Sequence, residues 1–357
     1  MTTYDDRRQW PGTEPPATGS PVRQSGSVRR TTSIDMVRPG GIAGPLHIVG
    51  NGRDLVTEPH GDARVATVAS TEIVVDYVGG RVVSAVRSSP TLPGLAELIG
   101  VSAGSGFRRS LGEKIPGLAG ANSLLHLLLD ETTPATLISG SVLAREGLIK
   151  LAAPGPGSRL PINICAGWQA GGAMLGAIAE TGVPLLGWGP PAPDVDPVDD
   201  DLAWHEMVPL APGSMRRRRL IDVGPLVEAS APSSSHAVQI TVLYRDSYWE
   251  KDGTETVVHE YALLATADAI GWQITSASAL PGPLPAPECP AAAASAARIV
   301  GVEVGQLREV VREQFTGTTT CTHLNDVFRS LADVDHLWSL LSPESDPAFH
   351  PTQELRP

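Results

Sequence analysis

Arg53-Asp54 recurs as Arg245-Asp246, 192 residues later. At that same spacing, without a gap, Val65 falls on Val257, Asp76 on Asp268, Gly79 on Gly271 and Ser84 on Ser276. Nearer the start, RRTTSIDMV at 29–37 is echoed by MRRRRLIDV at 215–223, so that Ile34-Asp35 matches Ile221-Asp222. Further on, Ile99-Gly100-Val101 matches Val300-Gly301-Val302 at a spacing of 201, which puts an extra loop in the second half around LPGPLPAPECP. Matches that keep their order over this length predict a tandem duplication. The constraint is strong, because whatever one half folds into, the other must fold into as well.

Within each half the pattern is β first and helical afterwards. RRTTSIDMV alternates polar and apolar residues, and ARVATVASTEIVVDYVGGRVVSAVRS is Val-rich with a turn at Gly79-Gly80, a meander or hairpin. Leu92 to Ser110 and Ala121 to Leu129 read as helices. The expected fold is therefore α+β: two related β-rich units, each with strands followed by helices, forming a pseudo-dimer that buries the helices and a bridging segment between them. Residues 1–26 read as a disordered lead-in, 27–139 as the first repeat, 140–214 as the bridge, 215–341 as the second repeat and 342–357 as a flexible tail. In the bridge, ICAGWQAGGAMLGAIAETG reads as one small-residue helix. The acidic run with Asp194, Asp196, Asp199, Asp200 and Asp201 lacks the ligand spacing of a calcium loop and reads as solvated. Arg216 to Arg219 read as a solvated or acid-paired strand edge.

A net charge of −12 argues against a phosphate-backbone partner. Cys165, Cys289 and Cys321 are too few and scattered for a disulfide framework and suit a reducing compartment. MTTYDDRRQW carries no apolar signal region, and no run reaches the ~18 apolar residues of a membrane span, so a cytoplasmic protein without a membrane partner is expected. GNG at 50–52 and GSG at 104–106 fit no dinucleotide or Walker pattern, so no nucleotide cofactor is expected. Trp168, Trp188, Trp204, Trp249 and Trp272 read as core or as the wall of an apolar pocket. His205 and Glu206 read as a surface strand or site rim.

The repeat also acts as a filter. Features present in both halves read as architectural: Arg53-Asp54 with Arg245-Asp246, and Asp35 and Asp76 with Asp222 and Asp268, as turn and strand-end groups. Features of one half are candidates for chemistry. His259 falls opposite Thr67, Glu260 opposite Val68, Cys321 opposite Asn122 and His323 opposite Leu124, while Cys289 sits in the extra loop. His126, the nearest histidine of the first half, does not register with His323. Cys321 precedes an apolar series at Leu324, Val327, Phe328 and Leu331 that marks an amphipathic helix. Thr320 or Thr322 can cap it, and the helix dipole there favours a thiolate. His259, Cys289, Cys321 and His323 form a Cys2His2 set suited to zinc or iron, although not at zinc-finger spacing. Glu260 or Asp326 would then handle protons. Without a metal, the same residues read as a Cys/His active site or as plain core.

RRTTSID, GRDL, CAGW at 165–168, RRRRLIDV, VVHEY at 257–261, ECPAA at 288–292 and CTHLNDVFRSLADV at 321–334 together resemble a bacterial family known only as a domain of unknown function, number 2889. The resemblance runs over most of the chain between about 29 and 341. It implies the domain limits and the site but no substrate. The resulting expectation is a metal-dependent lyase, isomerase or hydrolase acting on a small organic or acyl substrate. The alternative is a non-catalytic carrier of metal, sulfur or a small ligand, or a structural accessory subunit.

Overall fold

Alternation along the strands, together with the paired Arg-Asp motifs, decides how the layers stack. In a strand successive side chains point to opposite faces. Arg29 and Arg30 must therefore diverge, as must Arg53 and Asp54, Arg216 and Arg217, and Arg245 and Asp246. The computed structural model describes residues 12–121, 123–155, 160–185, 189–196, 200–226 and 236–341. In it, eight antiparallel strands form one sheet in the order β4-β3-β2-β1-β5-β6-β7-β8. They are β1 Ser27–Val37, β2 Leu46–Thr57, β3 Ala63–Asp76 and β4 Val82–Ser89, then β5 Met215–Pro225, β6 Ala237–Trp249, β7 Glu255–Asp268 and β8 Ile274–Pro281. Each set of four is a meander. The two meanders join edge to edge through β1 and β5, where Thr32 pairs with Arg219.

Irregularities in the two meanders fall at like places. A register shift follows Asp54 in β2 and Asp246 in β6, and another follows Val74 in β3 and Thr266 in β7. Asp76 and Asp268 end β3 and β7, and each accepts the backbone N–H of a following glycine, Gly79 or Gly271.

Helices cover one face of the sheet. After the first meander come α1 Phe107–Lys114, α2 Leu118–Ala121, α3 Ser123–Asp130 and α4 Thr132–Arg145; α5 Ala173–Thr181 follows, then α6 Leu307–Gln314, α7 Thr322–Ser330 and α8 Val334–Ser339 after the second. Leu124, Leu125 and Leu128 of α3 lie on β2 and β3, where Gly50 and Gly52 leave room for them. Leu324, Val327 and Phe328 of α7 pack with Val242, Leu263 and Ala265 of the second meander. The two apolar clusters lie side by side under the same helix layer.

Several expectations need correction. The stretch from Leu92 to Ser110 is not one helix but a short 3-10 turn at Leu95–Leu98 and, after Gly106 with φ 91°, α1. α4 was not foreseen, since its apolar residues lack a single clear stripe. ICAGWQAGGAMLGAIAETG is likewise broken: a turn at Ala166–Trp168 and α5 are separated by Gly171 with φ 75°. The bridge divides between the two faces: Ala166 and α5 pack with α7 in the helix layer, whereas its later part, from Pro193 to Val208, joins residues 12–24, expected to be disordered, on the sheet face opposite the helices.

That face explains the first arginine of each motif. Arg29 donates to the carbonyls of Pro21 and Ala203, Arg53 to Leu202, Arg216 to Val208, and Arg245 to Ala17 and Pro193. Arg29 also holds Asp222 at 2.7 Å, and Arg216 holds Asp35 at 2.6 Å. The arginine run is thus acid-paired, as one reading had it, but it lies mid-sheet and not at an edge. Trp204 is buried here with its indole N–H on Ser20, whereas Trp249 lies under Arg216 and Arg218 and Trp272 meets Trp338, so these indoles form no common wall. Trp188 and Asp199 lie outside the described residues.

His205 is no rim residue. Its ring nitrogens lie 2.9 Å from the hydroxyls of Thr31 and Ser33, and burial, helped by Arg53, Arg216 and Arg218, pushes its pKa from 6.5 down to about 4. The unfolded chain therefore binds this proton more tightly. The stabilising contribution is whole above pH 6.5 and disappears as pH falls to about 4, a loss on the order of 3 kcal/mol. Urea midpoints measured across that window should fall in the native protein and fall less in His205→Gln. Equal falls in both would show that this imidazole does not drive the acid sensitivity.

Candidate functional site

The second residue of each motif points the other way, under the helices, and there the two halves differ in what surrounds it. Arg30 holds Asp54 at 2.6 Å, Asp333 at 2.9 Å and the Ser123 hydroxyl at 2.9 Å. Arg217 holds Asp246 through Nε at 2.7 Å and Nη2 at 3.1 Å, and reaches Glu131 at 2.5 Å and Asp326 at 3.4 Å. Across the strands from Asp54 stands Thr67, but across from Asp246 stands His259. A residue type that changes at this one position turns a structural ion pair into a potential site.

α7 completes it. Its first turn brings His323 down onto the strands, so that the His259 and His323 rings stack with centroids 3.6 Å apart and planes 23° from parallel. His259 Nδ1 lies 3.6 Å and His323 Nε2 3.7 Å from Asp246 Oδ2. One ligand atom from each of Asp246, His259 and His323 lies within 4.8 Å of the others. Burial, and the neighbouring His323, push the His259 pKa well below its ordinary value; burial likewise lowers His323. Both imidazoles are therefore neutral at pH 7, with lone pairs to offer. The Nδ1 of His259 is buried without a hydrogen-bond partner. Burial alone would raise the Asp246 carboxyl, but the Arg217 guanidinium outweighs it and holds the group below the usual carboxylate range. The Tyr244 hydroxyl donates to Asp246 Oδ2 at 2.9 Å.

Of the four expected metal ligands, His259 and His323 come together, and Asp246 joins them in place of the cysteines. Cys321 lies on the far side of His323, its sulfur 3.8 Å from Nδ1. It is no thiolate: burial, reinforced by Cys165, pushes its pKa up to about 11, and the N–H groups of Leu324 and His323 only partly oppose this. Neither threonine caps α7. Cys321 itself occupies the N-cap position, and the Thr320 hydroxyl bonds to the Gly317 carbonyl. Cys289 begins a 3-10 segment, Cys289–Ile299, and packs against Gly167, where a β-carbon would meet its sulfur at 2.7 Å. With Cys165 and Cys321 it surrounds Tyr261, and burial raises all three thiols. The three cysteines are free.

Glu260 faces the opposite side of the sheet, where it holds Arg245 at 2.5 Å and accepts the N–H of Ala17 at 2.7 Å. Strand alternation carries it away from the imidazoles, so it takes no part in this cluster. Asp326 lies closer, on α7 three residues after His323, but it is held by Arg108 at 2.8 Å and by Arg217. Asn122, set opposite Cys321 by the repeat, lies outside the described residues.

Asp246 escapes the repeat filter because the Arg-Asp motif recurs in both halves and reads as architectural, and Arg217 escapes it because its run reads as a solvated or acid-paired strand edge. The signal that could have found Asp246 is the hairpin register of β6 and β7, which pairs it directly with His259.

Among the described residues, no helix is long and apolar enough to cross a membrane. No match was found among curated proteins or among solved structures. A family model described as "Protein of unknown function (DUF2889)" matches residues 226–336, from the end of β5 into α8. The matched stretch, less than half of the chain, includes Asp246, His259 and His323 and is similar to that family.

Proposed function

We propose that this chain is a metal-dependent enzyme whose cation, zinc or iron, is bound by His259, His323 and Asp246. The observation that carries the reading is the convergence of two neutral imidazoles and one ionised carboxylate under the helix layer, with His259 Nδ1 left unpartnered. Two histidines and one carboxylate suit catalytic zinc or iron(II), because three protein ligands leave positions open for water and substrate. A closed four-ligand shell would favour a structural or carrier role, and the cysteines expected to complete one stand outside the cluster. The metal would share Asp246 Oδ2 with the Tyr244 hydroxyl, which holds and orients the carboxylate. His323 keeps 19% of its side chain accessible, so the cluster is not wholly closed to solvent. The reaction class remains that expected from the sequence: lyase, isomerase or hydrolase chemistry on a small organic or acyl substrate.

The test is elemental analysis of the purified full chain. About one equivalent of zinc or iron per chain is expected, and His259→Gln and His323→Gln should each lower metal affinity by at least about tenfold. Cys289→Ser should leave it unchanged. Native protein that stays free of metal after incubation with zinc or iron(II), or histidine variants that retain full occupancy, would exclude the assignment.

We also infer that the two halves derive from one duplicated unit, with the second carrying the site. Support comes from the mirrored strand order, from the register shifts that recur 192 residues apart, and from the reciprocal pairs Arg29–Asp222 and Arg216–Asp35. Three unpaired thiols suit a cytoplasmic setting.

A further inference from the structure

The buried charges around the three ligands balance before any metal is added. Arg217 touches Asp246, Glu131 and Asp326; Arg219 touches Glu131; Arg108 links Asp326 to Asp130; and Arg329 closes the set on Asp130. Four guanidinium groups face four carboxylates. A divalent cation would therefore bring two uncompensated charges into a buried, neutral region, which is unfavourable unless an anion accompanies it.

One member of the set is poised for that anion. Arg219 is 1% exposed and lies at the middle of the sheet, where the two meanders join. Its Nη2 lies 2.6 Å from Glu131, yet none of the three guanidinium nitrogens has an aligned hydrogen-bond partner among the described residues. A buried guanidinium with idle donors is costly, and one that awaits a ligand is the simplest account of it. Arg219 and His323 lie against the same Tyr244 ring, at 5.5 Å and 6.5 Å from its centroid. The position of Arg219 in β5 matches that of Thr32 in β1, and no comparable cation stands on the Thr32 side.

We propose that Arg219 binds a small oxyanion, the carboxylate or phosphate group of the substrate, and that this anion and the metal bind together. The inference rests on the metal reading above and names the substrate class for that same site. Planar oxyanions suit a guanidinium, which offers donors in a fixed fork. The anion restores the charge balance that the cation upsets, so each should tighten the other.

The experiment titrates formate in one arm and inorganic phosphate in the other. Both are added to the full chain with and without bound metal, and binding is followed by calorimetry. At least one anion should bind the metal-loaded protein about 10- to 100-fold more tightly than the metal-free protein. Arg219→Met should lose about the same factor while its metal content stays at the native level. Arg219→Lys should recover only part, since an ammonium cannot present a fork. If Arg219→Met does not fold, cobalt-loaded native protein provides the second measurement: added anion should shift its visible absorption, and a spectrum unchanged at saturating anion would count against joint binding. Metal bound without anion binding, or anion binding unchanged in the variants, would overturn this proposal alone. Native protein that takes up no metal would overturn both.

Discussion

Arg217→Met should cost about 3–5 kcal/mol of stability, a large share of the ~5–15 kcal/mol that holds a typical domain together. The guanidinium is 1% exposed and engages three carboxylates, on β6, at the α3–α4 junction and on α7. Methionine fills much of the volume but supplies no charge. Glu131 would keep Arg219 and Asp326 would keep Arg108, but in metal-free protein, the form to be compared, Asp246 would keep only the Tyr244 hydroxyl among the described hydrogen-bond partners. The penalty arises from that orphaned carboxylate and not from a lost attraction as such. Adding Asp246→Asn to Arg217→Met should therefore restore part of the stability, although each change alone destabilises. Arg217→Lys should rescue little, because one ammonium cannot serve partners in three directions. Urea denaturation of the native protein and the four variants, all free of metal, reads all of this. A loss below about 1 kcal/mol for Arg217→Met would mean that the hub is not formed.

Much of the frame was legible because it rests on local pattern. Alternation in RRTTSIDMV and MRRRRLIDV marks β1 and β5, and the spacing between the Arg-Asp motifs reproduces the spacing of the register shifts. What alternation cannot supply is which face meets which layer. Arg53-Asp54 reads as a turn pair when taken alone. It becomes intelligible only when a strap of backbone carbonyls on one side and an arginine hub on the other divide its two residues. The same limit hid the site. Treating shared residues as inert discards Asp246, although its surroundings change with its neighbour: Thr67 stands beside Asp54, whereas His259 beside Asp246 gives a cluster that could hold a metal ion. Cysteines drew attention through their chemistry, yet apolar burial leaves them as thiols around Tyr261. Glu260, adjacent to His259 in sequence, is separated from it by the full thickness of the sheet.

Phe328→Ala should cost about 3–5 kcal/mol for a different reason. The ring is fully buried in α7, packed edge-on to Phe315 at 5.5 Å, with Leu324, Val327 and Leu331 in the same cluster. Removing it opens a cavity that neighbouring helices cannot close, because β6 and β7 fix the floor beneath it. Five residues earlier the same helix carries His323, the only site residue not anchored in a strand. Loss of packing at Phe328 should therefore loosen that imidazole and lower metal affinity, whereas a comparable cavity under α3, from Leu128→Ala, should lower stability alone. Comparing urea midpoints with metal content in the two variants separates these effects. Equal metal retention in both would mean that α7 does not position the ligand, and that His323 is held by its stack on His259 instead.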